Sequence, residues 1–283
     1  MIHLSPFLLF DKNEEGCETK MKHVKFEYQM NMDLEDVSNH YITLKCIPHS
    51  TCRQKITKLE VEAEPLTYKS EATDAFGNIL LIGHELKPHN YFHVLLSGEA
   101  DVNEGCYEEE EAEYWKIYEY ASAYTQMGPA LEQAYSEWRE ERGDENTTNI
   151  DIAWTLMRYF DKNFTYKSNV TNIETTAEEA MKKKEGVCQD FAHCFLALLR
   201  KEKIPARYVV GMMSGEGLSH AWVEVWDSGK WFGFDPTNHK AITEEYIKIS
   251  HGRDYADCIV SKGIFLGSSK QEHDIKVVVQ EQE

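Results

Sequence analysis

Residues 21–102 alternate apolar and polar side chains in short runs, and a period of two residues predicts β-strands. The runs are HVKFEYQM, YITLKCIP, KITKLEVEAE, ILLIGHEL and YFHVLLSG. Turn-forming residues separate them, as in Pro-His-Ser at positions 48–50 and Lys-Pro-His-Asn at positions 87–90. This spacing is typical of an all-β sandwich. We therefore predict a β-sandwich N-terminal domain over residues 21–102, preceded by an N-terminal extension at residues 1–20.

After residue 102 the apolar positions recur every three to four residues, which is the period of an amphipathic helix. Two such series are Tyr114, Ile117, Tyr118 and Ala121, and then Leu131, Ala134, Tyr135 and Trp138. A third series predicts a helix over residues 149–160. Thr176 and Glu179 have the pattern of a capping box that begins a fourth helix. The change from strand to helix periodicity indicates that a second domain begins here, and we predict that it extends over residues 103–283.

The segment KKKEGVCQDFAHCFLALLRKEKIP predicts a helix that begins near Cys188 and ends before Pro205. A thiol at a helix N-terminus faces unpaired backbone N–H groups and the positive end of the helix dipole, and both favour the thiolate. Cys188 is therefore a candidate nucleophile. The alternative is a small buried hydrophobe, which is the commoner role of a free cysteine. Cys194 lies on the same helix away from its N-terminus, and we expect it to be structural.

The polar residues of this helix fall on the side opposite Cys188. At about 100° per residue, Asp190, His193 and Arg200 share that side, whereas Cys188 begins the apolar side. We therefore expect the apolar side to be buried, and we expect structural roles for Asp190 and His193.

The sequence SHAWVEVWDSGKWFGFDPTN predicts a hairpin whose strands join at residues 227–229. If the two-residue loop is at 227–228, His220 lies directly opposite Asp235. If it is at 228–229, Asp235 faces Trp222, and His220 is its diagonal neighbour. Both registers bring the imidazole and the carboxylate within reach of a hydrogen bond, which would orient a histidine that activates a thiol. The alternative is a strand-end histidine beside an ordinary turn.

Composition narrows the classes of function. A formal net charge of −19 argues against nucleic acids and anionic membranes as partners, since both require clustered Lys and Arg. We expect the acidic run at residues 104–113 to be a solvated linker or helix start, with attraction of a basic substrate as the alternative. No glycine-rich phosphate loop or metal-binding motif is present, so we expect no cofactor and no metal, and calcium dependence is not indicated.

Cysteine usage and hydropathy bear on the cellular compartment. The seven cysteines are odd in number and lack CxxC pairs, which argues against a disulfide framework or a zinc site and favours reduced thiols. No apolar run is long enough to span a membrane, and the N-terminal apolar patch lacks the basic flank of a secretory signal. These features predict a cytoplasmic protein.

Three segments together resemble the transglutaminase-like superfamily, in its bacterial and archaeal branch described as putative cysteine proteases. EGVCQDFAHCFLALLRKEKIPARYVVGM resembles the nucleophile segment of the family, SHAWVEVW its histidine strand and WFGFDPTN its aspartate strand. GRDYAD at residues 252–257 is similar to a later segment of this branch, and residues 1–100 resemble its N-terminal β domain. The resemblance implies an α+β thiol-protease-like catalytic domain in which Cys188 is the nucleophile, His220 the general base and acid, and Asp235 the residue that orients it.

The resemblance also implies an acyl-enzyme intermediate on Cys188. With water as acceptor, the enzyme would cleave peptide or isopeptide bonds in proteins or small peptides; with a lysine amine, it would cross-link proteins through their glutamines. A third interpretation is a non-catalytic binding or scaffold protein with the same fold.

The oxyanion of such a reaction needs hydrogen-bond donors. The backbone N–H of Cys188 is one candidate. No glutamine directly precedes Cys188 to provide a side-chain donor, so Tyr166 is the candidate for that role, with a packed aromatic as the alternative. We expect Trp222 and Trp231 to be packing residues rather than binding platforms.

Overall fold

The computed structural model describes residues 21–109, 113–143, 148–267 and 272–281. The predicted N-terminal extension at residues 1–20 lies outside these ranges, as does part of the acidic run. Among the described residues, no helix is both long enough and apolar enough to cross a membrane.

Strands dominate the first part of the chain, where the alternating pattern predicted them. They are β1 (Met21–Leu44), β2 (Gln54–Glu64), β3 (Tyr68–Thr73), β4 (Ile79–Glu85) and β5 (His89–Asn103). Along β5, every second residue from Phe92 to Val102 is buried. A strand shows this pattern when one face of its sheet covers an apolar core and the other face is solvated.

Helices and further strands follow residue 103. They are α1 (Pro129–Arg142), α2 (Asn149–Asn163), β6 (Thr165–Tyr166), α3 (Ala177–Lys183), β7 (Glu185–Gly186), α4 (Cys188–Lys201), β8 (Ala206–Met213), β9 (Gly215–Gly217), β10 (His220–Asp227), β11 (Lys230–Asp235), β12 (Lys240–Ala241), β13 (Tyr246–Gly252), β14 (Ser261–Leu266) and β15 (Glu272–Glu281). The predicted α+β class with a β-rich N-terminal region is confirmed.

The helix predictions are confirmed for α1, α2 and α3. At α3, the Thr176 hydroxyl accepts from the Glu179 N–H, and the Glu179 carboxylate accepts from the Thr176 N–H at 2.9 Å, which is the predicted capping box. The first helical series is an exception, because Glu113–Glu119 forms a 3₁₀ helix rather than an α-helix.

β1 is the centre of an eight-stranded sheet among the described residues. Among the N-terminal strands, the first part of β1 pairs with β5 and the last part of β1 pairs with β4. Its remaining edges pair with β15 and β14, from the end of the chain.

The last two strands of the predicted second domain, residues 103–283, therefore pair within the same sheet as the N-terminal strands. The physical reason is the length of β1, which is 24 residues and leaves edges that the four following strands do not fill. The boundary at residue 102 and the sandwich arrangement stay predictions.

A second sheet, in the order β12-β11-β10-β8-β13, carries the hairpin singled out in the sequence. α4 contacts β10 and β8 and packs between this sheet and the other helices. Its polar side is therefore buried as well: Asp190, His193 and Arg200 are all inaccessible, contrary to the expectation of a single buried side. Each has a partner, since His193 Nε2 accepts from the Tyr255 N–H at 3.1 Å and Arg200 Nε donates to the Tyr118 carbonyl at 3.0 Å.

The acidic run is not wholly solvated. The Glu108 carboxylate lies in a buried ion cluster, 2.6 Å from Arg207 Nη2 and 2.9 Å from Lys248 Nζ. Glu224 completes the cluster, at 2.6 Å from Arg207 and 2.9 Å from Lys248. The two cations hold the pKa of Glu108 well below its usual value although burial opposes this. Glu108 therefore attaches the segment after β5 to the second sheet through ion pairs, although its side chain keeps 20% of its accessible surface.

Candidate active site

Cys188 is the first residue of α4, as predicted, and is half-buried. Val187 precedes it in an extended conformation and has no side chain able to cap the helix. Asp190 replaces the cap, because its carboxylate accepts from the Val187 N–H at 2.8 Å and from the Thr171 hydroxyl at 2.7 Å. The thiol therefore sits at the positive end of α4 on a turn that Asp190 holds in place.

Gly186 makes this turn possible. A Cβ at position 186 would lie 2.5 Å from Oδ2 of Asp190, closer than any side chain tolerates. The glycine thus permits the carboxylate to reach back over the start of the helix. The structural role expected for Asp190 fits this contact, which lies directly beside the candidate nucleophile.

His220 begins β10 and reaches Asp235 at the end of β11. Asp227 pairs with Lys230, so the loop is at residues 228–229, the second of the two registers considered. Ser228 and Gly229 both have positive φ, the conformation that a tight hairpin loop requires. The side chains meet as the diagonal arrangement predicts, with His220 Nε2 at 2.8 Å from Asp235 Oδ2.

Asp235 is completely buried and accepts five hydrogen bonds. Besides His220, Tyr246 donates its hydroxyl to Oδ2 at 2.7 Å and Asn238 donates its side-chain amide at 2.7 Å. The backbone N–H groups of Thr237 and Asn238 donate to Oδ1 at 3.0 and 3.1 Å. Burial alone would raise the pKa of Asp235, but these bonds hold it below its usual value, so the carboxylate is ionised.

His220 is held as an imidazolium. Burial disfavours the protonated ring, but hydrogen bonds to Asp235 and to Cys188 outweigh it and raise the pKa of His220 to about 10. Because Asp235 occupies Nε2, Nδ1 is the ring nitrogen available to the thiol. His220 is thus hydrogen-bonded to Asp235 and interacts with Cys188, and this arrangement can support a thiolate–imidazolium pair.

Tyr246 and Asn238 are contacts of the site that sequence reasoning missed. Asn238 lies in the turn after Asp235, where an asparagine is an ordinary turn former. Tyr246 comes from β13, two strands away from β10 in the sheet, and its ring packs edge-on against Trp222 at 5.5 Å. The pattern of β13 indicates a buried strand but not which strand it would lie beside.

The structure also shows where the other residues singled out in the sequence lie, namely Trp222, Trp231, Cys194 and Tyr166. Trp222 and Trp231 are buried, in agreement with packing roles. Cys194 is buried too, its thiol donates to the Ala177 carbonyl at 3.2 Å, and burial raises its pKa well above the usual value. Tyr166 lies in the short strand β6 rather than in a loop, beside the strand that leads to Cys188. Its hydroxyl role stays a prediction.

Across the described ranges, His, Cys, Asp and Glu side chains form no group of three or more placed to bind one metal ion. Six of the cysteines lie within these ranges, and all six are free thiols.

Part of this chain matches a known family model, and its sequence is similar to those of several bacterial proteins. Residues 138–236 match the family model of the transglutaminase-like superfamily, a range that contains Cys188, His220 and Asp235. An uncharacterized protein of Mycobacterium leprae is 40% identical over 124 residues, covering 40% of this chain and 44% of that protein. An uncharacterized protein of Mycobacterium tuberculosis is 28% identical over 254 residues, covering 79% of this chain and 81% of that protein.

A solved structure shows the same fold. The crystal structure of a putative cysteine protease from Cytophaga hutchinsonii superposes with a TM-score of 0.74 at 21% sequence identity, and the match covers 93% of each chain. The likeness therefore extends over the N-terminal strands as well as over the helices and the second sheet.

Proposed function

We propose that this protein is a cysteine-dependent hydrolase of peptide or isopeptide bonds, because residues 138–236 match the family model of the transglutaminase-like superfamily. Cys188 is the nucleophile, His220 the general acid and base, and Asp235 the residue that orients His220. The observation that carries the proposal is the hydrogen bond between His220 and the buried Asp235 carboxylate, together with the position of Cys188 as the first residue of α4.

The reaction begins with the Cys188 thiolate attacking the carbonyl carbon of the substrate. The negative charge that develops on the carbonyl oxygen is stabilised by the backbone N–H of Cys188, which points out of the first turn of α4. His220 then gives its proton to the leaving amine, the C–N bond breaks, and a thioester remains on Cys188. Neutral His220 next takes a proton from water, whose oxygen attacks the thioester, and the carboxylic acid and the thiolate are released.

Asp235 serves this cycle by holding His220 in one orientation and one tautomer. Its five hydrogen bonds come from His220 on β10, from Thr237 and Asn238 in the turn after β11, and from Tyr246 on β13, so the carboxylate cannot turn away when His220 loses its charge. A carboxylate that stays ionised also stabilises the imidazolium of each half-reaction.

The acceptor of the acyl group distinguishes hydrolysis from amide transfer, and the same three side chains serve both. We favour hydrolysis as the reaction of this chain, with cross-linking of protein glutamines as the alternative. Incubation with a glutamine-containing protein and a labelled primary amine separates them: release of ammonia or peptide without label supports hydrolysis, whereas covalent incorporation of the label would overturn it.

A scaffold without catalysis would have no need of an accessible thiol. Cys188 is half-buried rather than sealed, which favours the enzyme. We further propose that the protein acts in the cytoplasm on peptide or protein substrates, since six free cysteines suit a reducing compartment and a charge of −19 suits neither nucleic acid nor anionic membranes.

Alkylation by iodoacetamide tests the proposed nucleophile. At pH 6.5 we expect Cys188 to react faster than the exposed Cys52, which is an internal control for access. His220→Ala should remove the advantage of Cys188 and leave the Cys52 rate unchanged. Equal rates at the two cysteines in the wild-type protein, measured by peptide mass spectrometry, would refute the activated thiolate.

A further inference from the structure

The segment that joins β6 to α3, residues 167–176, is attached to the first turn of α4 by two side chains. The Thr171 hydroxyl donates to Oδ2 of Asp190 at 2.7 Å, and the Gln189 side-chain amide donates to the Ile173 carbonyl at 3.1 Å. Gln189 and Asp190 are the two residues that follow Cys188. The segment therefore contacts α4 at the turn that begins with the candidate nucleophile.

The Asp190 carboxylate has few hydrogen-bond partners for a buried charge, since the residue is only 1% exposed. Its Oδ2 accepts from the Val187 N–H at 2.8 Å and from the Thr171 hydroxyl, whereas its buried Oδ1 has no hydrogen-bond partner among the described residues. Burial raises the pKa of Asp190, and these two hydrogen bonds and the charge of Lys183 oppose the rise. The orientation of the carboxylate thus depends on two donors at one oxygen.

Only one of these two donors lies outside the turn that carries Cys188. The Val187 N–H belongs to the turn and moves with it, so this bond cannot fix the turn relative to the rest of the protein. Gly186 contacts the same oxygen closely, because a Cβ at position 186 would lie 2.5 Å from Oδ2. The Thr171 hydroxyl is therefore the hydrogen bond that holds the carboxylate from a separate part of the chain.

We propose that Thr171 is a positioning residue for the reaction, and that its hydroxyl keeps Cys188 in place for His220 by fixing the Asp190 carboxylate. The carboxylate holds the Val187 N–H, and Val187 is bonded covalently to Cys188. Without the hydroxyl, Oδ2 keeps a single donor and the turn has more than one orientation. The thiol then spends less time in the position where the imidazolium stabilises its thiolate. This inference rests on the proposed function and adds a residue to it.

Two substitutions at position 171 separate the role of the hydroxyl from that of the methyl group. Thr171→Val removes the hydroxyl and keeps the branched shape, whereas Thr171→Ser keeps the hydroxyl and removes the methyl group. We expect Thr171→Val to slow the alkylation of Cys188 by iodoacetamide at pH 6.5 about fivefold, the usual effect of one lost hydrogen bond, and Thr171→Ser to stay within about twofold of the wild-type rate. If Cys188 reacts as fast in Thr171→Val as in Thr171→Ser, the proposal is overturned.

Thr155→Val is the matched control, because it also removes the hydroxyl of a partly buried threonine. The Thr155 hydroxyl accepts from Nε1 of Trp138 at 3.0 Å and donates to the Ile152 carbonyl at 2.7 Å, in contacts outside the site. We expect Thr155→Val to leave the alkylation rate of Cys188 unchanged, with the exposed Cys52 as the internal reference for access in every variant. Equal losses in Thr155→Val and Thr171→Val would mean a general loss of stability and would contradict a local contact.

The pH dependence of the alkylation rate distinguishes positioning from access. At pH 6.5 the thiolate of Cys188 needs the imidazolium, whereas near pH 10 a thiolate forms without such help. The deficit of Thr171→Val relative to the wild-type protein should therefore shrink from about fivefold at pH 6.5 to less than about twofold at pH 10. A deficit of the same size at both pH values would show that the thiol has become less accessible, and would refute the positioning role.

The outcomes distinguish this inference from the proposed function. If Cys188 of the wild-type protein reacts no faster than Cys52 at pH 6.5, the activated thiolate and with it the proposed function are wrong. If Cys188 reacts faster than Cys52 and Thr171→Val keeps that advantage in full, only the role of Thr171 is wrong.

Discussion

Tyr246 offers the sharpest test of how the site is held together. Its hydroxyl donates to Oδ2 of Asp235 at 2.7 Å, the same oxygen that accepts from His220. Tyr246→Phe deletes this hydroxyl and keeps the ring, which packs against Trp222 at 5.5 Å and lies under Lys240 Nζ at 5.2 Å. The substitution therefore changes one hydrogen bond and little else.

The size of the effect follows from what Asp235 retains. A hydrogen bond to a charged group contributes about 1.5–3 kcal/mol to the free energy of unfolding. Because Asp235 keeps its bonds from His220, Asn238 and Thr237, we expect the lower end, about 1.5 kcal/mol. If the freed carboxylate lets His220 move from its position beside Cys188, the alkylation rate of Cys188 should fall about tenfold, which corresponds to about 1.4 kcal/mol.

The assay pairs urea denaturation with iodoacetamide alkylation of Cys188 at pH 6.5. Tyr159→Phe is the matched control, since the buried Tyr159 donates its hydroxyl to the Glu137 carboxylate at 2.8 Å in a contact outside the site. Tyr159→Phe should lower the free energy of unfolding without slowing the alkylation of Cys188. Should Tyr246→Phe lower stability while Cys188 keeps its wild-type alkylation rate, Tyr246 would be a packing residue and not a positioning residue.

Three further predictions concern the charges and the turn around the site. Because the pKa of His220 is raised to about 10, the charge of His220 stabilises the folded protein fully below about pH 6.5, and this contribution is lost as the pH rises through 10. Asp235→Asn should lower the pKa of His220, and two-dimensional NMR of the imidazole would then show titration at lower pH. Gly186→Ala should lower the free energy of unfolding by about 1–3 kcal/mol, because the new Cβ would meet the Asp190 carboxylate; unchanged urea denaturation would show that the turn relaxes freely. Arg207→Met should lower the free energy of unfolding by about 3–5 kcal/mol, because the carboxylates of Glu108 and Glu224 would keep Lys248 as their only partner in the cluster. A loss below about 1 kcal/mol would mean that the cluster is solvated.

Local sequence patterns predicted much of the candidate site. The helix that begins at Cys188 follows from an apolar period of 3.6 residues between a glycine and a proline, and such a signal depends only on neighbouring residues. The meeting of His220 and Asp235 follows from the geometry of one hairpin, in which a two-residue loop determines which residues face each other. The choice between two registers needed the structure, because the turn residues at 227–229 suit either loop.

Tertiary packing decided the features that depend on distant segments. Tyr246 reaches Asp235 only because β13 lies beside β8, and the sequence of β13 does not specify its neighbour. The burial of Asp190, His193 and Arg200 on the polar side of α4 depends on what packs against the helix. The helical period of the sequence shows only how polar and apolar residues are distributed around it.

The same limit explains the last strands and the acidic run. Ser261–Leu266 and Glu272–Glu281 pair with β1 because that strand has edges left open by its neighbours, and strand pairing is a long-range choice that alternation cannot reveal. Glu108 resembles its acidic neighbours in sequence, yet Arg207 and Lys248 from two other strands bind it in an ion cluster. The sequence by itself therefore determined the local elements that carry the reacting groups, and the tertiary structure alone decided which distant side chains hold them, since those contacts exist only after the sheets are assembled.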